Sequence, residues 1–426
     1  MTNHTTNSPG IHLPWAGKLV QPADVEETLS YLWHMSADNV RTSQNIRVRT
    51  SVLNFVICAP NLESAQKASA LLRDLSSTHI GRVTLLILDT DPGAASRVST
   101  WVTLRSFPII SDVMRHHFEQ ITVLASGSAA NSSAHIIQPF LKPDLPIYLW
   151  WLNDLPARLD TFQELVKLSS RVIIDSNSFY TPERSIKAIS TFLQQSQESA
   201  LSDLNWGRIT PWRQLVAQFF DAPEFQHYLA GVYKIEVEHA VAPTQETDKV
   251  TSTNQTTALN PMRALLLAGW LKSTLNWKLE DSDGGAYEYD AQKGSYAWGL
   301  MRETGPLQAQ SVITITELTN EIGRGGHGGI VIRPRVQSNL EPGSLCFIRL
   351  TSIVDDKQAV FTIDREDDAY HVLTSVDMPQ DTRPPRTVSV AASQEASTLL
   401  HEELEILGRD YLYEDTLHAV VELLAD

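Results

Sequence analysis

Between Pro146 and Pro156 the chain runs Ile147-Tyr-Leu-Trp-Trp-Leu152 as one apolar stretch and then turns to Asn153-Asp154. A membrane-spanning helix needs about 20 apolar residues, so a run this short reads as a strand. Its lack of polar alternation suits a strand buried on both faces, in the middle of a parallel sheet. Successive strand residues point to opposite faces, so Trp150 and Trp151 anchor two different layers of packing. Only a sheet covered on both sides accepts such a strand.

The flanking sequence supplies that sheet. Residues 51–59, 83–88, 121–125 and 171–174 read as further buried strands. Helical spacings lie between them. Asn61 caps a helix with Leu62, Ala65, Leu72 and Leu75 on one side, 130–141 forms another, Leu159, Phe162, Leu165 and Val166 mark a third, and 182–194 a fourth. Val25, Leu29, Leu32 and Trp33 give a helix over 22–35. The piece through Trp101 and Ile110 shows no clear period. Alternation of strand and helix predicts an α/β N-terminal domain over 21–195, a parallel sheet with helices on both faces, after a disordered N-terminus at 1–20.

The pattern then changes to an expected α+β C-terminal domain with an antiparallel sheet, 196–426. Thr210-Pro211 starts a helix carrying Trp212, Leu215, Val216, Phe219 and Phe220. Residues 233–239 alternate as a half-buried strand. The Thr-, Gln-, Asn- and Ser-rich stretch 242–258 is expected to be a mobile loop, and 263–275 an apolar helix. Strand-like segments follow at 312–318, 330–333, 345–350, 359–363 and 370–375, then a proline linker at 379–385 and C-terminal helices within 391–426.

A net charge of −16 opposes nucleic-acid phosphates and anionic lipid as partners. No apolar segment reaches membrane-span length and the first ten residues are polar, so the expected location is cytoplasmic, with no membrane contact. The two cysteines, Cys58 and Cys346, are too few for a disulfide scaffold or a thiolate zinc site. Both lie in apolar runs, where inert packing and a redox role remain open. Ten tryptophans suit cores and protein interfaces alike.

Polar groups stand just past the strand ends: Asp89, Ser126, Gly127, Ser128, Asn153, Asp154, Asp175 and Ser176. In a parallel sheet they share one edge, and two readings stand. They form a crevice for a phosphate-bearing ligand at a helix N-terminus, or they cap helices and turns. Gly323-Arg-Gly-Gly-His-Gly-Gly329 lacks the Gly-Lys-Ser/Thr ending of a phosphate loop and precedes a strand. No nucleophile elbow, no His-Glu-x-x-His spacing and no cysteine signature occurs. Neither a catalytic residue, a metal nor a cofactor is expected.

Ser202-Asp-Leu-Asn-Trp-Gly-Arg-Ile-Thr-Pro-Trp-Arg213 sets Asp203, Asn205, Trp206, Arg208, Trp212 and Arg213 at the junction of the halves. Tryptophan with arginine is the composition of an interface hot spot, and equally of core anchors around a buried ion pair. This phrase, together with Asp144-Leu-Pro-Ile-Tyr-Leu-Trp-Trp151, Val172-Ile-Ile-Asp-Ser176, Ala217-Gln-Phe-Phe-Asp221, Leu267-Ala-Gly-Trp-Leu-Lys-Ser-Thr-Leu-Asn-Trp277, Arg49-Thr-Ser-Val-Leu-Asn54 and Glu119-Gln-Ile-Thr122, resembles the OpcA family. The resemblance runs from about residue 22 to the end of the chain. It implies a non-catalytic subunit that binds glucose-6-phosphate dehydrogenase as a hetero-oligomer, promotes its active oligomer and raises its substrate affinity. That role stands at the NADPH-producing entry of the oxidative pentose phosphate pathway. The resemblance also implies a link to thioredoxin through Cys58 and Cys346. The residues matching its motifs, Trp150, Trp151, Asp203, Asn205, Trp206, Arg208, Trp212 and Arg213, are the candidate partner contacts. The alternative is a small-molecule binding protein that uses the strand-end crevice for a sugar phosphate or nucleotide.

Overall fold

Among the described residues, nine strands of the first half and nine of the second each form one sheet. The computed structural model describes residues 13–38, 47–48, 52–72, 74–75, 80–89, 93–111, 114–152, 154, 160–195, 199–243, 260–279, 287–290, 295–302, 328–365, 368–379, 383–390, 395–406 and 408–425. The first half contains β1 (Lys18–Val20), α1 (Val25–Asp38), β2 (Arg47–Val48), β3 (Leu53–Ala59), α2 (Leu62–Leu71), β4 (Ile80–Asp89), β5 (Arg97–Ser111), β6 (Met114–Ser126) and α3 (Ser133–Ile137). It continues with β7 (Ile147–Trp151), α4 (Asp160–Leu168), β8 (Arg171–Ile174), α5 (Pro182–Gln195) and β9 (Ala200–Asp203).

The strand order is β1-β5-β6-β4-β3-β7-β8-β9, with β2 on β6. From β6 to β9 every pairing is parallel. β7, the doubly buried strand, lies between β3 and β8. Trp150 stacks on Phe55 with ring centres 6.3 Å apart, while Trp151 meets Phe162 edge-on at 4.8 Å. The two rings belong to separate apolar layers, as adjacent positions on a strand require.

The first half differs from expectation in four parts, one being β9, which lies beyond the expected boundary at 195 yet pairs with β8 in the first sheet. The piece through Trp101 and Ile110 is the long strand β5, antiparallel to β6. An antiparallel strand near a sheet edge accepts polar residues on one face, so no apolar run marks it. Residues 18–20, expected within a disordered terminus, pair with β5 as β1. The helix expected over 130–141 is broken into a 3-10 turn (Gly127–Ser132), α3 and a second turn (Gln138–Phe140), because Pro139 cannot continue the backbone ladder.

The second half contains α6 (Leu204–Arg208), α7 (Thr210–Asp221), α8 (Pro223–Gln226), β10 (Val232–Val241), α9 (Met262–Thr274), β11 (Trp277–Leu279), β12 (Tyr287–Asp290) and β13 (Ser295–Arg302). It ends with β14 (Gly328–Val336), β15 (Leu345–Val354), β16 (Lys357–Asp364), β17 (His371–Asp377), β18 (Arg386–Ser389), α10 (Ala396–Glu405) and α11 (Tyr411–Leu423). Its order is β11-β13-β14-β10-β15-β16-β17-β18 with β12 on β13, antiparallel except for β10 beside β14. Asp355 and Asp356, both at positive φ, make the tight turn from β15 to β16. The expected strand at 312–318, residues 323–327 of the glycine-rich loop and positions 244–258 of the expected mobile loop lie outside the described residues.

The C-terminal helices do not stay with the second sheet. Leu399, Leu400 and Leu404 of α10 complete the apolar layer of Trp150 and Phe55. Arg171 of β8 donates to the Gly408 carbonyl, and Tyr148 Oη to that of Ile406 at 3.2 Å. α11 packs along α9, and Trp298 Nε1 donates to the Leu423 carbonyl at 2.6 Å. The tail thus clamps both sheets.

Candidate functional site

β8 and β9 are parallel neighbours, with Ile174 opposite Asp203, so their C-terminal ends bring two carboxylates side by side. Asp175 accepts from the Asn177 amide at 3.1 Å and caps the short turn after β8. Asp203 accepts from the Ser176 and Asn205 amides at 3.0 and 2.9 Å, capping α6. Arg208, at the end of α6, reaches back and forks onto Asp175 at 2.6 and 2.8 Å. It also donates to Asn205 Oδ1 at 3.1 Å.

The second half enters this cluster through α9. Arg263, on its first turn, donates to Asn205 Oδ1 at 3.0 Å, to Ser344 Oγ at 2.8 Å and to Glu341 at 2.7 Å. Asn260, just before the helix, donates from Nδ2 to the carbonyls of Ser176 and Asn177 at 3.0 and 3.1 Å. Its Oδ1 accepts from the Met262 amide at 2.9 Å. Gly343 sits at φ +85°, where a Cβ would stand 2.8 Å from the Asn260 carbonyl oxygen. Only glycine lets the two backbones approach that closely. The result is a polar joint that ties the strand ends of the first sheet to α9 and to the turn before β15.

Burial sets the electrostatics. It pushes the fully buried Asp203 carboxyl up to about 6, with the Ser176 hydroxyl and amide and the Asn205 amide opposing and the Asp175 charge adding. It also works against the Arg208 guanidinium, yet the Asp175 charge and hydrogen bonds outweigh it and raise that pKa. For Arg263 burial wins, helped by the nearby Arg208 charge, and the pKa falls.

A second cluster adjoins the first. Trp206 Nε1 donates to Asp410 at 2.7 Å, the Arg213 guanidinium lies 3.5 Å over the indole, and Tyr413 packs at 5.6 Å. Tyr413 Oη donates to Asp203 at 3.5 Å, joining the clusters. Trp212 faces the core beneath Arg365, whose guanidinium is 5.7 Å from the ring. Of the eight candidate partner contacts, Trp150, Trp151, Asp203, Asn205, Trp206 and Trp212 are buried. Arg208 and Arg213 are half-buried.

The described crevice residues stand at the strand-end edge, where Ser126, Ser128, Asp154 and Asp175 are engaged by their own neighbours. Ser126 Oγ donates to the Ala95 carbonyl at 2.9 Å, and Ser128 Oγ bonds Ser96 Oγ at 2.9 Å. Gly127 is at φ +59°, where a Cβ would lie 2.5 Å from the Ala94 carbonyl oxygen, so residues 94–96 lie across this turn. Asp154 accepts from the Tyr180 and Thr181 amides at 2.8 and 3.0 Å and from Thr181 Oγ1 at 2.9 Å. It thereby caps the approach to α5. Asp175 holds Arg208, and Asp89 stands in register with Ser126. Asn153 lies outside the described residues.

The cysteines are not brought together. Cys58 is on β3 of the first sheet and Cys346 on β15 of the second, both buried and free. Burial pushes the Cys346 thiol up to about 12 and the Cys58 thiol higher still, so neither is a reactive thiolate. Sequence reasoning missed Arg263, Asn260, Glu341 and Ser344. The available signal was a charged residue opening an otherwise apolar helix, directly after Asn260-Pro261.

Residues 199–417 match a family described as the C-terminal domain of a glucose-6-phosphate dehydrogenase subunit, and residues 72–191 match the corresponding N-terminal domain. The OxPP cycle protein OpcA of Synechocystis sp. is 23% identical over 306 residues, 72% of this chain and 56% of that protein. The OpcA of Synechococcus elongatus is 24% identical over 302 residues, 71% of this chain and 58% of that protein. The chain therefore spans a little more than half the length of these relatives. Similar solved structures include an NAD binding oxidoreductase from Klebsiella pneumoniae (8% identity, TM-score 0.45, 89% of this chain and 96% of that one). Another is a dehydrogenase from Chromobacterium violaceum (11% identity, TM-score 0.39, 87% and 93%).

Proposed function

Because this chain belongs to the OpcA family of glucose-6-phosphate dehydrogenase subunits, we propose that it is a non-catalytic cytoplasmic partner of that dehydrogenase. It binds the enzyme, promotes its active oligomer and raises its affinity for glucose 6-phosphate in the oxidative pentose phosphate pathway. The supporting observation is the fate of the strand-end polar groups. Where an α/β enzyme would hold its ligand, Asp175, Asp203 and Asn205 are committed to the joint between the sheets, and Asp154 to a helix start. The small-molecule alternative draws on these same groups.

The mechanism is a population shift. The chain binds a dehydrogenase conformer with better substrate affinity, and its effect is bounded by its differential affinity for the two conformers. Thioredoxin-linked control would act on the dehydrogenase, because Cys58 and Cys346 are buried in separate sheets. Sedimentation velocity of the two proteins, alone and mixed, tests the association. The expected result is a species heavier than either component at micromolar concentrations. A mixed profile equal to the sum of the separate ones would overturn the proposal.

A further inference from the structure

β18 ends the second sheet, pairing with β17 and, among the described residues, with no other strand. The residue after it shows which of its backbone groups face outward. The Val390 amide donates to the Tyr370 carbonyl at 2.7 Å, which makes this a hydrogen-bonded antiparallel pair. Such pairs alternate with non-bonded ones, so Val388–Val372 and Arg386–Thr374 are the next bonded pairs in the register. Thr387 and Ser389 therefore turn their N–H and C=O groups to the open edge.

Beside that edge lies a groove of about 230 Å³, its apolar side formed by Leu215, Phe219, Phe225, Val376 and Val388 and most of the rest of its lining polar. Arg386 and Val388, two apart on the strand, both line it, so the strand offers the groove an apolar and a cationic side chain on one face. Arg383 is already engaged, stacked on Phe225 at 4.4 Å and paired with Glu224 at 3.2 Å. Arg386 is exposed, a cation on the rim of this groove in a chain of net charge −16. An open edge supplies main-chain hydrogen bonds of any sequence, and an adjoining pocket selects alternate side chains.

We propose that β18 and this groove receive an extended segment of the dehydrogenase. That segment adds a strand at Thr387 and Ser389, seats an apolar side chain in the groove and sets a carboxylate two residues away on Arg386. The proposal rests on the partner reading above, and the test separates the two. Binding of purified dehydrogenase to the immobilised full chain is measured for the wild type, Thr387→Pro and Arg386→Glu. Proline at 387 removes an outward N–H and leaves the ladder to β17 intact, while Arg386→Glu reverses the rim charge.

The expected result is at least about a ten-fold loss of affinity in each variant, with near-ultraviolet circular dichroism unchanged. Should Thr387→Pro unfold, Arg386→Glu alone decides the outcome. Wild-type affinity in the folded variants would overturn the docking edge and leave the partner reading standing. Absence of wild-type binding would overturn both. A wild-type dimer that Thr387→Pro disperses, with dehydrogenase binding unchanged, would make the edge a self-contact and overturn the proposal.

Discussion

Arg263→Ala is expected to lower the unfolding free energy by about 3–5 kcal/mol, the loss typical when one member of a buried charged network is removed. The residue is 3% exposed, and deletion of its guanidinium removes two buried charge-assisted hydrogen bonds, leaving Ser344 Oγ without its donor and Asn205 Oδ1 with Arg208 alone. A hydrogen bond to a charged group is worth about 1.5–3 kcal/mol, so these two account for most of the effect. Glu341 adds little, because its side chain is 45% exposed and water replaces the lost partner. Arg263→Met keeps the aliphatic stem and should cost nearly as much, since hydrogen bonding and not packing is lost. Urea unfolding would show a lower midpoint. A shallower slope would mean that the two sheets had begun to unfold separately. A loss under about 1 kcal/mol in both variants would contradict this account of the joint.

The second large effect is a pH dependence carried by Asp203. Its folded pKa is raised by burial from 3.8 to about 6. Below the unfolded pKa the carboxyl is protonated in both states, and its contribution to stability is fully present. Between the two values the unfolded chain releases the proton that the folded chain keeps, so stability falls as pH rises. Above about 6 the loss is complete. At about 1.4 kcal/mol per pH unit, the gap corresponds to about 3 kcal/mol. Asp203→Asn keeps the size of the side chain and both amide bonds, and its Nδ2 can donate to Tyr413 Oη, so the variant isolates the titration. The stability difference, wild type minus Asp203→Asn, is expected to fall by about 3 kcal/mol between about pH 4 and 7, measured by thermal or urea unfolding. A difference flat across that range would mean that Asp203 titrates near its ordinary value.

The parts of this fold that local patterning governs were legible in the sequence. Side-chain alternation in a doubly buried strand needs no knowledge of the partner strands, so Trp150 and Trp151 could be assigned to opposite layers before β3 and α4 were located. The caps at Asn61 and Asp175 follow from residue type and spacing. The joint was not legible, because Arg263, Asn205 and Glu341 come from three distant stretches. Only the folded chain shows that Trp206 and Trp212 are buried while Arg208 and Arg213 keep part of their surface exposed. The return of α10 onto the first sheet is likewise non-local. Leu399, Leu400 and Leu404 read as an ordinary amphipathic face, and nothing in their spacing says which of two sheets they cover.

Glucose-6-phosphate dehydrogenase activity, titrated with glucose 6-phosphate at fixed enzyme with and without this chain, tests the central claim most directly. The account predicts a lower half-saturating concentration when the chain is present, with the shift saturating as the chain exceeds the enzyme. Superimposable curves at saturating chain would contradict it.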